Sequence, residues 1–195
     1  MDAAEIDRID SFVHHLKYER RLSPETCKHY RRDLLALRAW CDETELGRWS
    51  ELDSEHLRSY SAACFRRGLS PRTIQRRLSA ARTFFRFLLR EKHVNRNPAQ
   101  SVSAPRGKKR LPENLDADRM ARLLEIPGDT PLVNRDRAIL ELLYSSGLRL
   151  AELADLNLGD VDARDATVRV TGKGNKDRIV PVGSRALEAL SRWHR

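Results

Sequence analysis

The chain of 195 residues is poor in several things, and each shortage excludes a class of protein. It has three cysteines, Cys27, Cys41 and Cys64, odd in number and widely spaced. That excludes a disulfide framework and matches no zinc pattern; they read as free thiols of a cytoplasmic protein. No apolar run approaches the ~18 residues of a membrane span, and mean hydropathy is −0.62. The first residues, Met1-Asp2-Ala3-Ala4-Glu5, are acidic and lack the apolar core of a secretory signal. There is no internal repeat and no low-complexity tract. Lys173 is followed by Gly174 where a P-loop has Ser or Thr, so nucleotide binding of that kind is excluded. No Cys/His cluster offers a metal site.

Acid is also missing from one long stretch. Arg66 to Arg110 holds fourteen Lys and Arg against a single acid, Glu91, a net +13. The whole chain carries +9, so the remainder sums to −4. Basicity confined to one block favours a polyanion, nucleic acid before an anionic membrane surface.

Periodicity then gives the organisation. Ile6, Ile9, Phe12, Val13 and Leu16 recur at helical spacing over residues 5–21. Ser23-Pro24-Glu25 opens a second helix with a capping Ser and Pro in its first turn. A third helix is expected from about Asp53 to Arg67, ending at Gly68, and a fourth from Ser70-Pro71 to Lys92. Four helices with short connections predict a compact helical domain over 1–92. At ~100° per residue, Ile74, Leu78, Ala81, Phe85, Leu88 and Leu89 share one face of the fourth helix. Arg72, Arg76, Arg82, Arg86 and Arg90 share the opposite one. Five arginines without an acid repel one another, which a DNA-facing helix explains better than a solvated face. Arg77 falls off the stripe and suits an internal pair.

Residues 93–111 read as a mobile linker, with Pro98, Pro105 and Gly107 followed by Lys108, Lys109 and Arg110. With Arg106 these form a basic cluster, either a solvated tail or a run along a phosphate backbone. The second domain, 112–195, is expected to hold a helix capped by Asp116, a longer one from Leu132 to Ser146, and a short one through Asp155. From Ala166 the period changes to two, through Val168, Val170, Ile179, Val180 and Val182, which predicts a β-hairpin in an otherwise helical domain. Ser184 starts a last helix.

Two short runs concentrate the chemistry. In Tyr144-Ser145-Ser146-Gly147-Leu148-Arg149-Leu150-Ala151-Glu152-Leu153, a helix stops at Gly147 and another starts near Arg149. Arg149 can fork onto two phosphate oxygens, or pair structurally with Glu152 or Asp155. In Gly172-Lys173-Gly174-Asn175-Lys176-Asp177-Arg178, Lys173 sits at the tip of the hairpin between two glycines. There it either closes on a backbone to deliver charge or a proton, or is an ordinary solvated turn.

These runs, with Ser23–Leu34 and the stretch Leu69-Ser70-Pro71-Arg72-Thr73-Ile74 through Leu88, resemble the tyrosine site-specific recombinases, in particular the bacterial Xer subgroup. The resemblance covers essentially the whole chain. It implies a mainly α protein: a four-helix core-binding domain of SAM-like type, then the first part of a helical catalytic domain carrying a small antiparallel sheet. It implies that Arg149 grips the scissile phosphate, Glu152 supports it, and Lys173 protonates the leaving 5′ oxygen. The arginine stripe, the 106–110 cluster, Lys176 and Arg178 would contact DNA. Strand exchange in that family runs through a 3′-phosphotyrosine, with no cofactor. The implied partners are a double-stranded recombination site, a second Xer-type recombinase in a heterotetramer and a septal DNA translocase, at the nucleoid. The family's His-x-x-Arg motif and nucleophilic Tyr follow the hairpin. Here Tyr18, Tyr30, Tyr60 and Tyr144 all precede it and read as core or interface packing residues. The expectation is therefore a piece of such an enzyme that binds DNA without the nucleophile. The rival readings are a non-catalytic DNA-binding remnant or accessory protein, and a phage- or transposon-type integrase.

Overall fold

The computed structural model describes residues 1–107, 114–172, 174 and 176–194. The chain divides into two units, Met1–Arg110 and Leu111–Arg195.

In the first unit, α1 (Ala3–Tyr18), α2 (Pro24–Glu43), α3 (Ser54–Arg66) and α4 (Pro71–Arg90) follow the hydrophobic periods. All four start on side-chain caps: Asp2 accepts from the N–H of Glu5, the Ser23 and Ser70 hydroxyls accept from those of Thr26 and Thr73, and Asp53 accepts from that of His56. Each cap satisfies one of the N–H groups that a helix start leaves without a partner. α4 is the spine. Its Ile74, Leu78, Phe84, Phe85 and Leu88 are buried against α1, α2 and α3. Phe84 meets Phe12 and Trp49 edge-on, at centroid distances of 5.4 and 5.1 Å. Trp49, in a short 3-10 turn (Trp49–Glu51) before α3, is fully buried, and its indole N–H donates to the Glu5 carbonyl at 2.9 Å.

The expected linker is a correction. Residues 93–107 belong to the first unit, and Val94, Ala99 and Val102 are part of its core. Arg82 ties them down, with Nε donating to the Ala99 carbonyl at 3.1 Å and Nη2 to that of Val102 at 3.0 Å. Asn97 donates back to the Arg82 carbonyl at 3.0 Å. Proline and glycine mark the absence of helix here, not the absence of packing. At Gly107 the backbone runs so close to the start of α4 that an added Cβ would lie 3.1 Å from Pro71 Cγ.

The second unit has α5 (Ala117–Leu124), α6 (Pro131–Ser146), α7 (Leu150–Ala154) and α8 (Ser184–His194), with a sheet of three strands. The strands β1 (Val161–Asp162), β2 (Thr167–Gly172) and β3 (Lys176–Pro181) are antiparallel in that order. β1 is too short to leave a pattern in the sequence. Val168 and Val170 pair across from Val180 and Arg178. Their buried face meets Leu142, Leu148, Val182 and Ala186. Among the described residues, no helix is long and apolar enough to cross a membrane.

Candidate active site and nucleic-acid interface

Gly147 ends α6 in the left-handed region, at φ 58°, and its N–H donates to the Leu143 carbonyl. That turn redirects the chain so that Leu148 is buried and Arg149 stands at the start of α7 with its side chain 68% exposed. The Ser146 hydroxyl donates to the Pro181 carbonyl at 2.9 Å, tying this junction to the end of β3.

Glu152 is the centre of the cluster. Its carboxylate is buried and both oxygens are engaged. Oε2 accepts from the Arg149 backbone N–H at 2.8 Å and from Arg178 Nη2 at 2.9 Å. Oε1 accepts from Arg149 Nη1 at 2.8 Å. The backbone bond does most to hold the Glu152 carboxyl below the usual carboxylate range, against burial, and the two guanidiniums add to it. A Cβ on Gly172 would lie 3.5 Å from Oε1, so the end of β2 runs alongside the carboxylate. The fold thus joins the two runs, α6–α7 and the β2–β3 hairpin, at one carboxylate with two guanidiniums. The Arg149–Glu152 pair was visible as an i, i+3 spacing; the Arg178 arm was not. Lys173, expected at the hairpin tip, lies outside the described residues.

The stripe on α4 is not five equivalent unpaired arginines. Arg76 forms a salt bridge with the buried carboxylate of Asp33 on α2. Arg82 is the clasp on residues 99 and 102. Arg90 pairs with Glu91 at 2.8 Å and Glu19 at 3.6 Å, and reaches His15 Nδ1 at 3.3 Å. Arg72 and Arg86 are exposed and make no hydrogen bond or ion pair among the described residues. A helical wheel reports the face a residue is on, not the acids that other helices bring to it. Arg77 is the internal residue the wheel suggested, donating to the Tyr60 hydroxyl at 3.3 Å. Burial in that cluster pushes the Tyr60 phenol up. Tyr18 and Tyr144 are 57% and 58% exposed, so neither packs in a core. Arg106 and Lys176 are exposed; Lys108, Lys109 and Arg110 lie outside the described residues.

With this geometry in place, the comparisons with known proteins define the class. Residues 9–92 match the phage integrase N-terminal SAM-like domain, and residues 113–195 match the phage integrase family. The chain belongs to the phage integrase family, the tyrosine recombinases. Within it, the chain is 49% identical over 186 residues to the tyrosine recombinase XerC of Pseudomonas syringae pv. syringae (strain B728a), covering 95% of this chain and 62% of that one. It is 47% identical over 192 residues to XerC of Xanthomonas campestris pv. campestris (strain B100), covering 98% and 60%. The chain thus spans about three-fifths of the length of the curated relatives it matches. The Tn1549 transposon integrase, solved with transposon right end DNA, superposes with a TM-score of 0.77 at 15% identity, over 96% of this chain and 63% of that one. At that identity the likeness concerns the fold alone.

Proposed function

We propose that the chain is the DNA-gripping part of a Xer-type tyrosine recombinase, acting on a specific duplex site in strand cleavage and rejoining that resolves chromosome dimers. The observation that carries this reading is the Arg149–Glu152–Arg178 cluster: an exposed guanidinium held on a buried carboxylate beside the hairpin that bears Lys173. A guanidinium so oriented offers two parallel N–H groups to a phosphate and stabilises the charge that develops on it during transfer. Nearly half identity to XerC over almost the whole chain supports the same reading.

In this reading Arg149 binds the scissile phosphate, Glu152 fixes Arg149, and Lys173 gives a proton to the leaving 5′ oxygen. The first unit holds the duplex through exposed arginines, Arg72, Arg86 and Arg106, with Lys108, Lys109 and Arg110 as further phosphate contacts, and the second unit adds Lys176. Arg76, Arg82 and Arg90 act mainly in the fold. The partners are duplex DNA at the nucleoid, a second Xer-type recombinase in a heterotetramer, and a septal DNA translocase. Within these 195 residues all four tyrosines precede the hairpin, so this chain alone forms no covalent adduct with DNA.

The test is strand cleavage on nicked site DNA by the protein at the full length of its relatives. Arg149→Ala and Lys173→Ala each lose cleavage by ~100-fold or more while keeping most DNA affinity. Loss of binding in parallel with cleavage by both variants would sink the assignment, as would an adduct formed by the 195-residue chain.

A further inference from the structure

The sequence groups Arg178 with the DNA contacts, but its side chain, 39% exposed, is bonded into the fold at Glu152. Burial alternates along β3 from Arg178 to Pro181, with Arg178 and Val180 sheltered and Ile179 and Pro181 exposed. Directly paired residues of an antiparallel sheet share a face. Arg178 pairs with Val170 and Val180 with Val168, both valines being buried, so Arg178 lies on the core side of the hairpin. From there its Nη2 reaches Glu152 Oε2 at 2.9 Å.

We propose that Arg178 is a positioning residue for Arg149, acting through Glu152, and not a DNA contact. The proposal rests on the reading of Arg149 as the phosphate-binding residue. Arg149 is 68% exposed at its side chain, and among the described residues one bond holds its guanidinium, Nη1 to Glu152 Oε1. The direction of that guanidinium is therefore set by the plane of the Glu152 carboxylate. The Arg149 backbone N–H fixes one oxygen but leaves the plane free to turn about that bond. Arg178 adds a second, charge-assisted anchor on the same oxygen, from a different element. With both anchors the plane is set and Arg149 is aimed before any phosphate arrives, which spares the ordering cost on binding. Because Arg178 stands on β3, two strand residues after Lys176, the strut also ties Arg149 to the hairpin that carries Lys173.

The experiment uses the 195-residue chain, with side-chain NMR of Arg149, Arg178 and Glu152, and duplex-DNA binding measured against salt. In the wild type, lowering the pH should shift the guanidinium signals of Arg149 and Arg178 with one common midpoint, that of Glu152. Arg178→Gln should raise the Glu152 midpoint and average the separate Nη signals of Arg149. It should leave the slope of log K against log salt within about 0.3 of wild type, well short of the ~0.9 that one phosphate contact carries. Arg86→Gln should lose about that ~0.9. A slope loss of ~0.9 in Arg178→Gln, with Glu152 and Arg149 signals unmoved, overturns the proposal. If Arg178→Gln does not fold, the wild-type titration decides: an Arg178 signal that ignores the Glu152 midpoint overturns it. If wild type shows no salt-dependent binding, the DNA reading fails, and the NMR coupling still tests the strut on its own.

Discussion

Gly147 and Glu152 stand five positions apart and act on Arg149 from opposite sides. Gly147 turns the chain at φ 58°, where no heavy atom outside its chain neighbours lies within 4 Å of an added Cβ. Replacing it by Ala therefore costs only the left-handed backbone, about 1–2 kcal/mol, and should lower the denaturant midpoint without a change in slope. Glu152 acts through charge. Its folded carboxyl is held below the ordinary value by the Arg149 N–H first, then by the Arg149 and Arg178 side chains. The stabilisation is thus whole above the ordinary carboxylate range and is lost as pH falls through the depressed folded value. Urea midpoints of wild type and Glu152→Gln should differ at neutral pH and converge in acid, below pH ~4. A gap that persists undiminished in acid would show that Glu152 acts by packing and not by its charge.

At the scale of elements, α4 carries two functions on one helix. Its inner face is core, and its outer face divides between arginines that hold the first unit together and arginines without a side-chain partner among the described residues. Arg76 neutralises Asp33, which is 2% exposed, so Arg76→Ala strands a buried carboxylate. Removing a partner from a fully buried pair costs ~3–5 kcal/mol. Arg76 is one-third exposed, and solvent screening reduces the loss to about 2 kcal/mol. Arg86→Ala, at an exposed position, should fall within ~0.5 kcal/mol of wild type. Equal stability losses in chemical denaturation would contradict the division. The elements themselves were legible because their signals are local: Ser-Pro starts at 23–24 and 70–71, the Gly147 stop, the period of two after Ala166. What was not legible is long-range pairing. Asp33 with Arg76, Arg82 with residues 99 and 102, and Glu152 with Arg178 are 17 to 43 positions apart and leave no periodic trace. Hence the linker at 93 and the uniform arginine stripe were misread, while the Arg149–Glu152 pair, local in sequence, was seen.

For the whole molecule, the two units differ in how much they bury. The core cluster of the first unit gathers 22 buried residues and that of the second gathers six, among those described. The first carries its basic side chains over the larger core; the second places two guanidiniums on one carboxylate next to a hairpin. Both features serve one purpose if the ligand is a polyphosphate backbone, and the net charge of +9, concentrated between Arg66 and Arg110, favours the same ligand. The most direct measurement is the affinity of the 195-residue chain for duplex DNA over a range of salt. Binding should be tight at low salt and fall log-linearly, losing roughly a hundredfold between 50 and 200 mM if about four phosphates are held. Affinity that is absent at low salt, or that does not change with salt, would contradict a chain built to grip DNA.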